Sequence, residues 1–256
     1  MSILHTVIKV ETIESTNRLA KDLVEKGAED GTVVWALQQS LGRGQYERAF
    51  FSPPGGIYFS LITVPTLLRG QDTPLITLAA GLGCHDTLSQ TVLSLVRLKW
   101  PNDLYCRQKK MGGILSEFYV PQHSTASIAE AVIVGVGINV NNRSADFPEE
   151  LQNLVCSLSE CSNSRQYVLS HLLDSLVCNI QKRIAQLVDN RTSLFAEWQN
   201  VDYLFGKKVQ YSFKGSIRYT GYGRGINELG CYLVLDEFGE LQPIIGGQLR
   251  LSEGNI

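Results

Sequence analysis

The chain has 256 residues, 44% hydrophobic and 19% charged, with 23 lysines and arginines against 25 aspartates and glutamates for a formal charge of −2. That length and composition suit one sizeable core with a satellite unit and exclude global disorder; the even balance gives no bulk attraction to nucleic acid or an anionic membrane, so any basic site must be local. The N-terminus lacks a basic segment followed by an apolar one, no apolar run approaches the roughly 20 residues of a membrane span, and the six cysteines (Cys84, Cys106, Cys156, Cys161, Cys178, Cys231) are scattered without a CxxC pair, all of which points to a cytoplasmic protein with reduced, mostly buried thiols.

Residues 6–13 read as a strand that leads into an amphipathic helix. Ser15 or Thr16 can cap that helix, Leu19, Ala20, Leu23 and Val24 form its apolar face, and Gly27 stands at its stop. A strand follows at 32–38. Residues 41–56, punctuated by Gly42, Gly44, Pro53, Pro54, Gly55 and Gly56, read as a loop of the length that serves function in compact domains. Residues 57–64 form a strand, 74–95 a long helix and 96–100 a short strand, with 113–119 pairing with it across the polar connection 102–111. The almost continuous apolar run 128–140 belongs at the centre of a sheet. Helical spacing through Leu169, Leu172, Leu173, Leu176, Val177, Ile180, Ile184 and Leu187 covers 167–188, and a short helix at 193–200 closes the main domain. Beyond Val201, short strands with glycine turns suggest a small barrel, so a boundary is expected near residue 200.

Two segments carry chemistry-bearing side chains. In Gln39-Ser40-Leu41-Gly42-Arg43-Gly44-Gln45-Tyr46-Glu47-Arg48, Gly42 and Gly44 allow main-chain amides to approach an anion, and Arg43 and Arg48 add charge-assisted donors; in isolation the loop reads more readily as a solvated hairpin. In Lys99-Trp100-Pro101-Asn102-Asp103, Pro101 keeps Trp100 extended and Asn102-Asp103 favours a turn, so Lys99 and Asp103 flank one corner. Lys109-Lys110-Met111-Gly112-Gly113-Ile114-Leu115-Ser116-Glu117 follows, with Gly112-Gly113 letting the backbone crowd a ligand beside Lys110. No P-loop and no GxGxxG after a strand occurs, and His5, His85, His123 and His171 show no metal-ligand spacing.

The ordered set S-T-N, Q-x-x-G-R-G, S-P-x-G, K-W-P-N-D, K-x-G-G-I-L-x-E and G-x-G-I-N resembles the biotin protein ligases over residues 12–141, and the late Gly-Gly in the final unit resembles that family's terminal domain. The resemblance implies an α+β fold, a mixed sheet flanked by helices of the class II aminoacyl-tRNA synthetase-like, biotin/lipoyl ligase kind over 1–200, with a small SH3-like barrel over 201–256. It implies ATP-dependent activation of biotin as biotinyl-5'-AMP with Mg²⁺ on the phosphates, followed by transfer to a lysine of a biotin carboxyl carrier domain of a biotin-dependent carboxylase. It resembles the monofunctional kind, with no DNA and no membrane as partners and no indication of oligomeric state.

By that resemblance Lys110, Arg43, Arg48 and Asp103 are catalytic. Lys110 lies where carboxylate and α-phosphate meet, the arginines lie on the covering loop, and Asp103 is the acceptor-side carboxylate and the nearest candidate to the metal. Biotin falls to Ser15, Thr16, Asn17, Gln39, Gly42, Lys110 and Gly113, and ATP to Arg43, Gly44, Phe50, Lys99, Asn102 and Asn139. Phe50 stands where a tryptophan commonly packs on adenine. Three positions depart from the family pattern: Gln45 replaces an arginine, Glu47 a glycine, and Leu37 an acidic residue. A lipoate or octanoate protein ligase is the nearest alternative, and Gln45 with Glu47 also raises a biotin-binding homologue with impaired catalysis; Thr16 with Gln39 speaks against an apolar acyl pocket.

Overall fold

The computed structural model describes residues 6–64, 67–68, 70–92, 96–122, 130–213 and 215–252. His5, His123 and the outer parts of the expected 74–95 helix and 128–140 strand lie outside them. Strands β1 (Val7–Ile13), β2 (Val33–Gln39), β3 (Ile57–Thr63), β4 (Val96–Lys99), β5 (Asp103–Cys106), β6 (Lys109–Tyr119) and β7 (Ala131–Ile138) form one seven-stranded sheet in the order β1-β2-β3-β7-β6-β5-β4. β1 and β2 are parallel and the other pairs antiparallel, so the sheet is mixed, and β7 is its central strand.

Helices cover both faces, which is why β3 and β7 are buried along their whole length. Helix α1 (Thr16–Val24) buries Ala20 and Val24 against Val34, Ile62, Ala131 and Ile133. On the opposite face α2 (Thr73–Ser89) and α5 (Leu169–Asp189) pack Leu82, Leu173, Leu176 and Ile180 over Ile57, Phe59, Val134 and Val136. Alternation along paired strands then shapes the site. Ser60 sits opposite Gly135 and Tyr58 opposite Gly137, so the face that is apolar at Ile62 and Ile133 under α1 becomes polar and nearly side-chain-free beyond that helix's N-terminus.

Three expectations need correction. The strand at 113–119 does not pair with 96–100, because β5 lies between them. The polar connection hides a strand whose Leu104 and Cys106 are buried, bounded by tight turns at Pro101-Asn102 and at Arg107, where φ is +57°. Helix α2 stops at Ser89, where the amides of Thr91 and Val92 and the Thr91 hydroxyl all turn back to the Leu88 carbonyl. The C-terminal strands β8 (Lys208–Phe213), β9 (Ser216–Ile226), β10 (Tyr232–Asp236), β11 (Leu241–Ile244) and β12 (Gln248–Leu251) form one sheet in the order β11-β10-β9-β8-β12. Its edges stay open at β11 and β12, because the chain between them turns at Gly247 (φ +91°) towards the large domain instead of pairing.

Helices α3 (Glu149–Gln152) and α4 (Leu158–Cys161) add short turns between the β7 end and α5, and α6 (Arg191–Asn200) leads into the final sheet. The core is continuous across that boundary. Trp100 Nε1 donates to the Gly230 carbonyl at 3.0 Å, and its ring lies 5.9 Å from that of Tyr232. Among the described residues no helix is long and apolar enough to cross a membrane.

Candidate active site

A cleft of about 610 Å³ opens over the glycine-rich end of the sheet, between the start of α1, the 41–50 loop, the β4–β6 turns and the Gly247–Arg250 segment. One end is a chain of hydrogen bonds. The Thr16 amide and hydroxyl both donate to Gln39 Oε1, at 2.8 and 3.2 Å, and Gln39 Nε2 donates to Ser52 Oγ at 2.9 Å. Ser60 Oγ, fully buried, lies 2.8 Å from Thr16 Oγ1 and 2.6 Å from Asn17 Oδ1. Asn17 Nδ2 donates to Glu117 Oε2 at 2.7 Å, and Lys21 Nζ holds the other Glu117 oxygen at 2.6 Å. Position 135 must be glycine for this, since a Cβ there would meet Asn17 Oδ1 at 2.2 Å. Ser15 is the N-cap of α1 by position but its side chain makes no capping bond, so its hydroxyl stays available to the cleft it lines.

Strand β6 links this end to the cationic one. Its register slips by one residue opposite Leu104–Tyr105, so Met111 turns into the core while Lys110 shares the cleft face with Gly113. Lys110 Nζ sits 2.5 Å from Asp103 Oδ1, and Lys99 pairs in register with Asp103 across the turn, as the K-W-P-N-D spacing suggested. A Cβ on Gly113 would lie 3.5 Å from Asp103 Oδ1 and Lys110 Nζ, an ordinary contact, so the protein itself leaves that space open. Gly112, by contrast, is demanded by the sheet, where a Cβ would come within 2.5 Å of the Gly137 carbonyl. Phe50 covers Gly137, edge-on to Tyr58 at 6.5 Å.

Cations outnumber anions in the lining. Arg18, Lys21, Arg43, Arg48, Lys99, Lys110 and Arg250 face it, against Glu14, Glu47, Asp103 and Glu117. Each carboxylate already has a basic partner: Arg18 with Glu14, Lys21 with Glu117, Arg43 with Glu47 at 2.6 Å and Lys110 with Asp103. Lys99, Arg48 and Arg250 have no carboxylate in an ion pair among the described residues. Burial lowers the Lys99 ammonium pKa; Asp103 opposes that shift, while Lys110 and Arg250 add to it. A near-neutral chain thus holds a locally positive cleft.

The structure gathers Ser15, Thr16, Asn17, Gln39, Arg43, Gly44, Arg48, Phe50, Lys99, Asn102, Asp103, Lys110 and Gly113 around this cleft. Two candidates fall outside its lining. Asn139 is 4% exposed and its amide nitrogen donates to the Cys156 carbonyl at 3.2 Å, which keeps it beneath the sheet end. Gly42 faces the outer side of the loop, where a Cβ would meet the Phe50 carbonyl at 2.4 Å, so its role is to let the loop fold on itself. The amide of Gly44 donates to the Arg48 carbonyl at 2.8 Å and is spent inside the loop. Asn102 lines the cleft while its amide nitrogen donates to the Ile114 carbonyl at 2.7 Å.

Sequence reasoning missed Arg250, Ser60, Lys21 and Tyr46. Tyr46 lies in the loop but had no role; its hydroxyl accepts the Gly247 amide at 3.0 Å, tying the covering loop to the C-terminal sheet. Arg250 follows the Gly246-Gly247 pair by three residues, a signal visible only once that turn is known to face the cleft.

The profile of the biotin/lipoate A/B protein ligase family matches residues 9–139. Bifunctional ligase/repressor BirA of Bacillus spizizenii is 32% identical over 252 residues, which span 96% of this chain and 74% of that protein. A biotin–[acetyl-CoA-carboxylase] ligase of Mycobacterium tuberculosis is 26% identical over 253 residues, 94% of this chain and 88% of the relative. Among solved structures, the biotin protein ligase from Aquifex aeolicus in complex with biotin and ATP superposes with a TM-score of 0.82 at 27% identity, covering 96% of this chain and 99% of that one. A matched segment that holds the polar lock, the cationic turn and the glycine floor in one cleft, together with relatives aligned along nearly the whole chain, settles the kinship: the chain belongs to the biotin/lipoate A/B protein ligase family.

Proposed function

We propose that the protein is a biotin protein ligase, which joins biotin to ATP as biotinyl-5'-AMP, releases pyrophosphate, and passes the biotinyl group to a lysine of a biotin carboxyl carrier domain. One observation carries this reading: strand β6 connects a buried hydrogen-bonding lock, Thr16–Gln39–Ser52 with Ser60, to a surplus of cations around Lys110. A polar ring system loses its water on burial and needs such replacement bonds, while a carboxylate and a triphosphate need fixed positive charge to meet.

Thr16, Asn17, Gln39 and Ser15 would hold the head group. Lys110, with Arg43 and Arg48 from the loop, would hold the carboxylate and the α-phosphate at attacking distance, and Phe50 on Gly137 would present its ring to the base. Mg²⁺, when carried on the phosphates, screens their charge, and a hard cation held mostly by substrate needs few protein ligands. Asp103 is the carboxylate the chain can offer it, and the donor set fits that modest demand.

The Asp103–Lys110 pair suits both half-reactions. When Lys110 turns to the anion formed in the first step, Asp103 loses its partner and faces the incoming amine. A free lysine has a pKa near 10.4 and arrives protonated, so a carboxylate that orients it and draws off its proton speeds attack on the acyl carbonyl, with AMP leaving. We place the catalytic domain at 1–200 and the C-terminal unit at 201–256, with Gly247 and Arg250 of the latter completing the cleft. Biotin-dependent exchange of pyrophosphate into ATP, followed by transfer to a carrier domain, tests the reading. Exchange that follows lipoate or octanoate and ignores biotin would replace it with the sister activity, and a folded protein without exchange would be a binding homologue.

A further inference from the structure

Glu117 closes the K-x-G-G-I-L-x-E segment on β6, and its carboxylate is shared between two residues of α1. Lys21 Nζ lies 2.6 Å from Oε1, and Asn17 Nδ2 donates to Oε2 at 2.7 Å. The same Asn17 nitrogen has the Leu115 carbonyl at 3.2 Å. A carboxylate and a carbonyl can only accept, so the Asn17 amide must turn its NH2 group to β6 and its oxygen away. Sideways movement is closed to it. A Cβ at position 135 would meet Asn17 Oδ1 at 2.2 Å and Nδ2 at 2.9 Å, so the amide lies directly on the bare backbone of β7, and its alternative there is to turn over.

Counting donors fixes the rest of the chain of bonds. Asn17 Oδ1 lies 2.6 Å from Ser60 Oγ and carries no proton, so the single Ser60 proton is committed to it. Ser60 therefore has nothing left to donate to Thr16 Oγ1, 2.8 Å away. The Thr16 proton has acceptors inside the protein, Ser60 Oγ and, at 3.2 Å, Gln39 Oε1. Gln39 is held in its own orientation, because Oε1 also takes the Thr16 amide at 2.8 Å while Nε2 donates to Ser52 Oγ at 2.9 Å. What Thr16 Oγ1 offers to the cleft it lines is lone pairs, the counterpart of an N–H. Turning Asn17 over would reverse the order: its NH2 group would donate to Ser60, Ser60 would donate to Thr16, and the Thr16 acceptor would be occupied from behind. Thr16, Asn17 and Ser60 are all buried, so the protein and not the solvent sets which way the protons point.

We propose that Glu117, pinned by Lys21, is a specificity-determining positioning residue that acts through Asn17 and Ser60 to keep Thr16 an acceptor for an N–H of the ligand's ring. The inference rests on the biotin reading above. Biotin carries two ureido N–H donors, whereas lipoate and octanoate carry none at the corresponding end. An acceptor enforced from behind favours the first and leaves the others facing a desolvated oxygen without a partner. Glu117 achieves this without touching the ligand.

The test is calorimetric titration of the full chain with biotin and with two analogues, each having one ureido N–H replaced by CH2. In the wild type the analogue that lacks the N–H facing Thr16 should bind roughly tenfold more weakly than biotin, because a buried acceptor is left unpaired. Glu117→Gln keeps the shape of the side chain but can donate, so Asn17 is free to turn and that ratio should shrink to about threefold or less. Ser60→Ala cuts the link between Asn17 and Thr16. In that background Glu117→Gln should leave the ratio where Ser60→Ala alone puts it. Thermal melts establish that each variant is folded, and the Glu117→Gln comparison stands without Ser60→Ala. An equal loss for biotin and both analogues in Glu117→Gln would make Glu117 a prop of the fold and overturn the proposal. Wild-type binding indifferent to both N–H groups would overturn it too, as would a Glu117→Gln effect that persists at full size in Ser60→Ala. The expected ratios in a protein without biotin-dependent pyrophosphate exchange would count against the ligase reading alone, and exchange with a ratio unmoved by Glu117→Gln against the role of Glu117 alone.

Discussion

Two consecutive residues of the covering loop occupy the left-handed region, Tyr46 at φ +57° and Glu47 at φ +58°, and the second stands where the family pattern has glycine. Replacing Glu47 tests what that departure does. A non-glycine residue there costs about 1–2 kcal/mol, so Glu47→Gly relieves strain. It also removes the 2.6 Å pair with Arg43, whose side chains are 60% and 79% exposed, a contact in the class that contributes about 0.2–1 kcal/mol. Glycine further loosens the unfolded chain, by about 0.4–1 kcal/mol. These effects offset one another, and global stability should move by less than about 1 kcal/mol. Retention of the intermediate should respond more clearly. A bound anion must compete with Glu47 for Arg43, so without Glu47 it gains up to the value of the pair, roughly a 1.4- to 5-fold slower release of biotinyl-5'-AMP. Glu47→Asn, which tolerates the left-handed backbone and removes only the charge, separates electrostatics from loop flexibility. The assay is dissociation of pre-formed biotinyl-5'-AMP at low and at high salt, alongside thermal melts. Equal off-rates for wild type, Glu47→Gly and Glu47→Asn at low salt would refute the competition.

Lys110→Ala should remove a charge-assisted contact of about 1.5–3 kcal/mol, at least roughly tenfold in adenylation, and unchanged exchange in a folded variant would move the junction cation elsewhere. Gln45→Arg should slow release of biotinyl-5'-AMP and reduce labelling of bystander lysines, because a neutral donor is replaced by a charged one in the cleft wall; matching off-rates would place residue 45 beyond reach of the intermediate. Burial pushes the Asp202 carboxyl up to about 6, against the Leu204 amide and Tyr232 hydroxyl that hold its charged form. Because the folded state then binds the proton more tightly than the unfolded one, this group favours folding most below about pH 4 and loses that contribution as pH rises towards 6. Asp202→Asn should flatten that part of the stability profile, and an identical slope in both proteins would contradict the assignment.

The long-range order of the large domain was legible because its signals are periodic or punctuated. The apolar run before Asn139 identified the central strand, since a strand covered on both faces has no polar alternation. The spacing of K-W-P-N-D is enough to set Lys99 opposite Asp103 across the turn. What escaped were features set by register and by contacts distant in sequence. Strand β5 is four residues long and brings Asp103 to the cleft, too short for periodicity to separate it from a loop. The bulge that aims Lys110 has no sequence marker, because the residue displaced is an ordinary core methionine. Ser157 and Glu160 did carry a readable capping box for α4. Asn139 lies outside the cleft lining, since a motif fixes the order of residues and not the face of the sheet on which a side chain emerges.

The ion pairs of the cleft explain how a chain of charge −2 can hold a site for anions. Arg43 and Lys110, the cations we propose to meet the reacting groups, each carry a carboxylate partner, Glu47 and Asp103. Such partners keep the cations in place and suppress the repulsion that a bare cluster would add to the folded state. An incoming carboxylate or phosphate then exchanges one anion for another, and the net gain is the difference between a fixed, partly desolvated contact and a solvated one. That difference is small at the exposed Arg43–Glu47 pair and larger at Lys110–Asp103, whose side chains are 35% and 20% exposed. Salt should therefore weaken retention chiefly through the loop, while the turn at Lys110 and Asp103 keeps most of its strength. A substitution at Glu47 should therefore act on the lifetime of the intermediate, and one at Asp103 on its formation and on its transfer.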